Sequence, residues 1–288
     1  MHHLRNPKNV FAAQMNRYIL IIISALSLCA CSNADRRNKH IEPLSNDRFL
    51  QDVNDSTQTT RQILDKYVPS VVALARADTA VLYYESSTMW EDSVFRQILI
   101  GKPLGKTAII ATEVNLKDTV INFYCLDKEN WKLIGSEKTN IPVFKIDFED
   151  LDGDNKNEIV TSTIRNMNGN TWQEVYYYSE QANTIKYAGS FSSDYVVKKD
   201  RKRIEETYEG SWYMDHSKTL YEWRQERLVP VRQIILSRDE PDEMNSKVTF
   251  EYYENPGNDI DGLKLKFEEP CDDDSRKQQQ LWNNFFNE

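Results

Sequence analysis

Within this 288-residue chain, the residues best placed to do chemistry gather in one segment, Phe148-Glu149-Asp150-Leu151-Asp152-Gly153-Asp154-Asn155-Lys156-Asn157-Glu158-Ile159-Val160. Counting Asp150 as position one, carboxylates stand at one, three, five and nine. Alternate side chains of a tight loop converge on a point, and four carboxylates brought together repel one another unless a cation lies among them. Calcium takes six to eight oxygens in a relaxed geometry, and Asp150, Asp152, Asp154, the Lys156 carbonyl and Glu158 offer five or more. Gly153 permits the sharp bend that this convergence requires. An EF-hand is excluded, because the glycine expected at position six is Asn155 and the glutamate expected at position twelve is Thr161. The remaining alternatives are a calcium loop between two strands and an acidic hairpin that binds nothing.

Other chemistries lack their residues. Beyond residue 30 only His40 and His216 remain, so zinc coordination and Ser-His-Asp or Cys-His catalysis lack their imidazoles. Residues 1–30 hold three of the 36 Lys and Arg and none of the 45 Asp and Glu, leaving 33 against 45, a formal charge of −12. Phosphate backbones are bound by cationic side chains that displace counterions, so nucleic acid is not an expected partner. The one basic run, Lys198-Lys199-Asp200-Arg201-Lys202-Arg203, reads as a solvated turn. Cys125 and Cys271 are far apart in sequence, and either a disulfide or free thiols fit them, Cys125 sitting in an alternating pattern with Ile121 and Phe123.

The elements that must position the acidic loop are mostly strands. Stretches rich in Val, Ile, Tyr, Phe and Thr recur at 79–85, 96–100, 106–113, 119–126, 130–135, 141–148, 157–164, 172–178, 185–191, 194–198, 203–209, 218–224, 229–236 and 247–253. Regular short strands with short turns predict a mostly β antiparallel meander over residues 59–270, partially propeller-like or, alternatively, a β-sandwich. Thr59 with Gln62 predicts a capping box, opening one short N-terminal helix with Ile63, Leu64 and Tyr67 on its apolar face before Pro69. Residues 271–288 predict a C-terminal helix, with Leu281, Trp282, Phe285 and Phe286 on one face. Residues 31–58 are polar and read as a tether.

Ahead of that tether, Arg5, Lys8 and Arg17 precede an apolar run from Tyr18 to Leu28, far short of the roughly 20 residues a spanning helix needs. This is the layout of a secretory signal, for which Met15 followed by Asn16 and Arg17 makes the more typical start. Leu28-Cys29-Ala30-Cys31 resembles the bacterial lipobox, with Cys29 where Ala, Ser or Thr is usual. The resemblance implies cleavage of residues 1–30, lipid on Cys31, and a membrane as the first partner. Ser32 in place of Asp favours the outer membrane, with the body facing the periplasm or cell surface.

Asp150-Leu151-Asp152-Gly153-Asp154 followed by Glu158-Ile159-Val160 resembles the FG-GAP or VCBS calcium motif, with Asn155 and Glu158 where a second glycine and a final Asp are usual. The motif occurs once, so a complete seven-bladed ring is not expected. Tyr208-Glu209-Gly210-Ser211, Thr219-Leu220-Tyr221-Glu222-Trp223 and Leu228-Val229-Pro230-Val231 extend a similarity to small exported lipoproteins over about residues 140–237. Some of that group look like lysozyme inhibitors or immunity proteins. The resemblance implies a non-enzymatic, calcium-binding envelope lipoprotein that binds an unidentified protein or glycan, with inhibition of a cell-wall hydrolase as the sharper form. Loops Asn166 to Trp172 and Ser211 to His216 are the expected binding surface. A glycosidase using paired carboxylates, or glycan binding by Trp172, Trp212 and Tyr213, is the alternative.

Overall fold

The computed structural model describes residues 47–287, apart from 56, 87–95, 106–107, 116–118, 140–141, 164, 166–168, 193, 211–214, 239–246 and 273. The lipobox with Cys31, and Trp212 and Tyr213, lie outside the described residues. Among those described, no helix is long and apolar enough to cross a membrane.

Among the described residues, fifteen strands form three antiparallel sheets, each a simple meander. The first sheet holds β1 (Val81–Ser86), β2 (Arg96–Gly101), β3 (Ile110–Asn115), β4 (Val120–Asp127) and β5 (Asn130–Lys138). The second holds β6 (Val143–Glu149), β7 (Glu158–Thr163), β8 (Trp172–Ser179) and β9 (Thr184–Ser192). The third runs from β10 (Tyr195–Lys198) and β11 (Arg203–Tyr208) through β12 (His216–Arg224) and β13 (Arg227–Arg238) to β14 (Val248–Glu254) and β15 (Lys264–Pro270). Among the described residues the helices are α1 (Asp47–Asn54), α2 (Thr60–Leu74) and α3 (Arg276–Asn284).

The sheets stack like successive propeller blades, and the period-two alternation of their strands accounts for the layering. On β7, Ile159 enters the core shared with the first sheet while Val160 enters the core shared with the third. On β8, Tyr176 and Val175 divide in the same way. A sheet covered on both faces needs apolar side chains on both, which is why β7 is almost wholly buried. Among the described residues, the first and third sheets each have one face with no sheet partner, and helices cover both. Phe49 of α1 and Ile63, Leu64, Tyr67, Val68 and Val71 of α2 pack on Leu82, Ile98, Ile100 and Trp131 of the first sheet. Phe285, with Leu281, Trp282 and Phe286, packs on Leu220, Val231, Ile234 and Phe250 of the third. Burying one such Phe contributes about 1.5–3 kcal/mol, so the helical caps are part of the core.

The mostly β meander with flanking helices is as the sequence predicts; the departures are local. Thr59 caps α2, its hydroxyl accepting from the Gln62 amide and the Gln62 side chain accepting from Thr59 N–H in return. The helix runs past Pro69 to Leu74, because Val68 and Val71 on either side of the proline are buried against the first sheet. Within the segment read as a polar tether, residues 47–54 form α1, and Phe49 and Val53 are fully buried. Strand β15 lies outside the predicted strands: it is an exposed edge in which Leu265 and Phe267 alternate with Lys264, Lys266 and Glu268, and Phe267 packs on Phe250 and Tyr252. Cys125 and Cys271 are free thiols, the first among the apolar side chains between the first two sheets.

Candidate metal centre

The acidic loop joins β6 to β7, and each stage of its path has a cause. Leu151, the apolar residue between two aspartates, is fully buried between the second and third sheets and pins the loop to the core. The chain then turns through positive φ at Gly153 (79°) and Asn155 (66°). Asn155 thus adopts the left-handed conformation usually given to glycine, which its short polar side chain tolerates. Three successive aspartates each accept a backbone N–H: Asp150 Oδ1 from Gly153 at 2.8 Å, Asp152 Oδ1 from Asp154 at 3.0 Å, and Asp154 Oδ1 from Lys156 at 2.7 Å. On the far side the Asn157 amide donates to the Pro103 carbonyl at 2.7 Å, tying the loop to the first sheet's β2–β3 connection.

This path brings Asp150, Asp152 and Glu158 together, with one carboxylate oxygen of each within 4.8 Å of the others. Asp154 and Lys156 are outside that triad, although both line the adjoining cleft of about 90 Å³ together with Asp152, Asn157, Glu158 and Trp223. A liquid water occupies about 30 Å³, so the cleft has room for an ion and a few waters and little more. The indole N–H of Trp223 is buried and has no acceptor among the described residues.

Electrostatics at the triad are those of crowded acid. Glu158 is 7 % exposed and accepts from the Leu151 amide at 2.8 Å. Burial, then the neighbouring Asp152, Asp154 and Asp150, push its pKa up to about 8 against that hydrogen bond. Burial likewise raises Glu149, against a hydrogen bond from the Tyr195 hydroxyl at 3.2 Å. Cations also approach from the third sheet. Lys199 Nζ lies 3.2 Å from Asp150 Oδ2 and Lys202 Nζ 3.3 Å from Asp152 Oδ2. Both belong to the β10–β11 connection, whose backbone crosses directly over Gly153; a Cβ there would lie 2.8 Å from the Lys199 carbonyl oxygen.

The basic run is therefore exposed, as its composition predicts, yet docked on the acidic loop. No local signal announces this, since the partners are 49 and 50 residues apart. Of the residues expected to bind glycan, Trp172 is described, and its ring packs 5.8 Å from that of Tyr208. The triad is an all-oxygen, hard-donor set, which fits calcium or magnesium and not the sulfur and nitrogen preferences of zinc or copper.

No protein-family model and no curated protein matches this chain. A solved structure of a type IV secretion system related protein from Xanthomonas is similar at 12 % identity and a TM-score of 0.35, over 63 % of this chain and 98 % of that one. A Bacteroides fragilis protein of unknown function is similar at 9 % identity and a TM-score of 0.19, over 53 % of this chain and 83 % of that one.

Proposed function

We propose that this chain is a non-enzymatic, lipid-anchored envelope protein whose β body is stabilised by calcium at the β6–β7 loop and serves as a binding module for another macromolecule. The observation that carries the metal reading is the convergence of Asp150, Asp152 and Glu158, one of them buried, in a loop with no equal number of cations. Two half-exposed lysines face three carboxylates, and the buried glutamate is left to be protonated or to coordinate an ion. Asp154 and the Lys156 carbonyl complete the donor set under this reading. Calcium would fix the loop that touches all three sheets, so its contribution is to the alignment of the stack. The anchor reading rests on Leu28-Cys29-Ala30-Cys31.

The test is calorimetric titration of calcium into chelator-treated protein. One site in the wild type, lost in Asp152→Ala, supports the reading; no heat in the wild type overturns it. The excess of acidic side chains favours a basic partner by electrostatic steering, and a cell-wall hydrolase of lysozyme type is one such partner. Undiminished lysis by every hydrolase assayed in the protein's presence would remove that partner class.

A further inference from the structure

A second cleft, of about 700 Å³, opens where β5, β9 and the β12–β13 turn meet, and lies within the volume range of small-ligand sites. Its charges run against those of the whole chain. Lys186, Arg224 and Arg227 face it, against Glu137 and Glu226. One of the two carboxylates is already engaged, Glu226 with the Tyr177 hydroxyl. Arg224 is also held: it donates to Glu222 Oε2 at 2.9 Å, to the Gly257 carbonyl at 2.7 Å and to Asn258 Oδ1 at 3.3 Å. Lys186 and Arg227 enter no ion pair among the described residues, and the Lys186 ammonium rests 5.8 Å from the Tyr177 ring centroid. Tyr187, 42 % exposed, offers a ring beside them.

The turn that brings the arginines here is costly in two ways. Arg224 and Arg227 are cross-strand partners, so Gln225 and Glu226 make a two-residue hairpin turn. Both have positive φ, 51° and 64°, in positions where Asn-Gly is the relaxed choice. Like charges directly opposite on paired strands are themselves destabilising. Non-glycine residues held in the left-handed region cluster at functional sites.

We propose that this cleft binds an acidic oligosaccharide. Arg227 and Lys186 would receive its carboxylates, Arg227 through the planar fork that suits them, and the exposed ring of Tyr187 would take the apolar face of a sugar. Arg224, braced by Glu222 and Asn258, is a positioning residue that holds the turn. The cleft shares Tyr177 and Glu226 with the one beside the acidic triad, but Lys186, Tyr187 and Arg227 take no part in the metal reading and the proposal does not depend on it.

The experiment is calorimetric titration of tetragalacturonate into the full chain in the presence of chelator, with neutral cellotetraose and tetraglutamate in parallel. Saturable binding of tetragalacturonate is expected, at least tenfold weaker for cellotetraose and for tetraglutamate. Arg227→Ala and Tyr187→Ala, both at exposed positions, should each weaken it at least tenfold while leaving the circular dichroism spectrum unchanged. Absence of saturable binding, equal affinity for the neutral sugar or the acidic peptide, or indifference to both substitutions overturns the proposal.

Discussion

Lys199 and Lys202 are each more than half exposed, and a pair of that kind contributes only about 0.2–1 kcal/mol. They hold Asp150 and Asp152 weakly and compete with any divalent ion for the same oxygens. Under the calcium reading, Lys199→Ala and Lys202→Ala should each tighten calcium binding by up to about fivefold, the equivalent of one such pair. Weaker binding by calorimetry would mean that the lysines shape the loop more than they compete for it. Gly153 gives a sharper expectation. Alanine there would combine a left-handed φ with a Cβ 2.8 Å from the Lys199 carbonyl oxygen, so Gly153→Ala should lower stability by more than about 1 kcal/mol in urea unfolding. An unchanged midpoint would show that the β10–β11 connection gives way freely. Asp150, Asp152 and Glu158 are legible in the sequence because alternation in a short loop is a local property. Lys199, Lys202 and the Arg224–Arg227 tip are not, because their neighbours are set by how separate sheets stack.

Asp52 joins α1 to α2 by hydrogen bonds, beside the packing of Phe49 on Tyr67. Its Oδ1 accepts from Lys66 Nζ at 2.7 Å and its Oδ2 from the Tyr67 hydroxyl at 2.7 Å. Burial opposes its ionisation, but the hydrogen bonds of Lys66, Tyr67 and Gln58 outweigh burial and hold its pKa below the usual 3.8. A lowered carboxylate pKa means that the folded state binds fewer protons than the unfolded one, so the stabilisation is complete above 3.8 and fades as pH falls through the folded value. The unfolding free energy of the wild type should therefore fall more steeply than that of Asp52→Asn as pH drops below about 4. Parallel curves would show that Asp52 does not join the helices. Tertiary contact, not local pattern, makes α1. Eight residues with two buried apolar side chains make too short a periodic pattern to separate from a polar tether, and the helix exists because Phe49 finds Tyr67 and Tyr83 at ring-centroid distances of 4.7 and 5.2 Å. Strand β15 escapes notice for the opposite reason, as an edge strand whose Lys and Glu side chains face water. The capping box at Thr59, by contrast, is contained within four residues and needs no tertiary context.

Across the whole molecule, acidic side chains outnumber basic ones, and several accept from a tyrosine hydroxyl, Glu113 and Glu254 in addition to a cation (Arg96 at 3.7 Å and Lys266 at 3.3 Å). Tyr124 donates to Glu113, Tyr176 to Glu174, Tyr221 to Glu206 and Tyr252 to Glu254, at 2.8–3.3 Å. A phenol brings an apolar body with its donor, so these carboxylates are hydrogen-bonded in the packed layers without a buried cation for each. The layers themselves form a series in which each sheet packs on the next and the outer faces are closed by helices. In a closed propeller the first and last blades meet; here Phe49 and Phe285 belong to apolar clusters with no residue in common. Stability in such an array is close to a sum of nearest-neighbour contributions. Phe49→Leu and Phe285→Leu should each cost about 1–2 kcal/mol from the smaller side chain and the space it leaves. Because the two lie at opposite ends of the series, the double variant should lose the sum of the two to within about 0.5 kcal/mol in urea unfolding. A coupling well beyond that would mean that the two caps communicate, as the ends of a ring would, and the open stack would then be the wrong description of how this fold is held together.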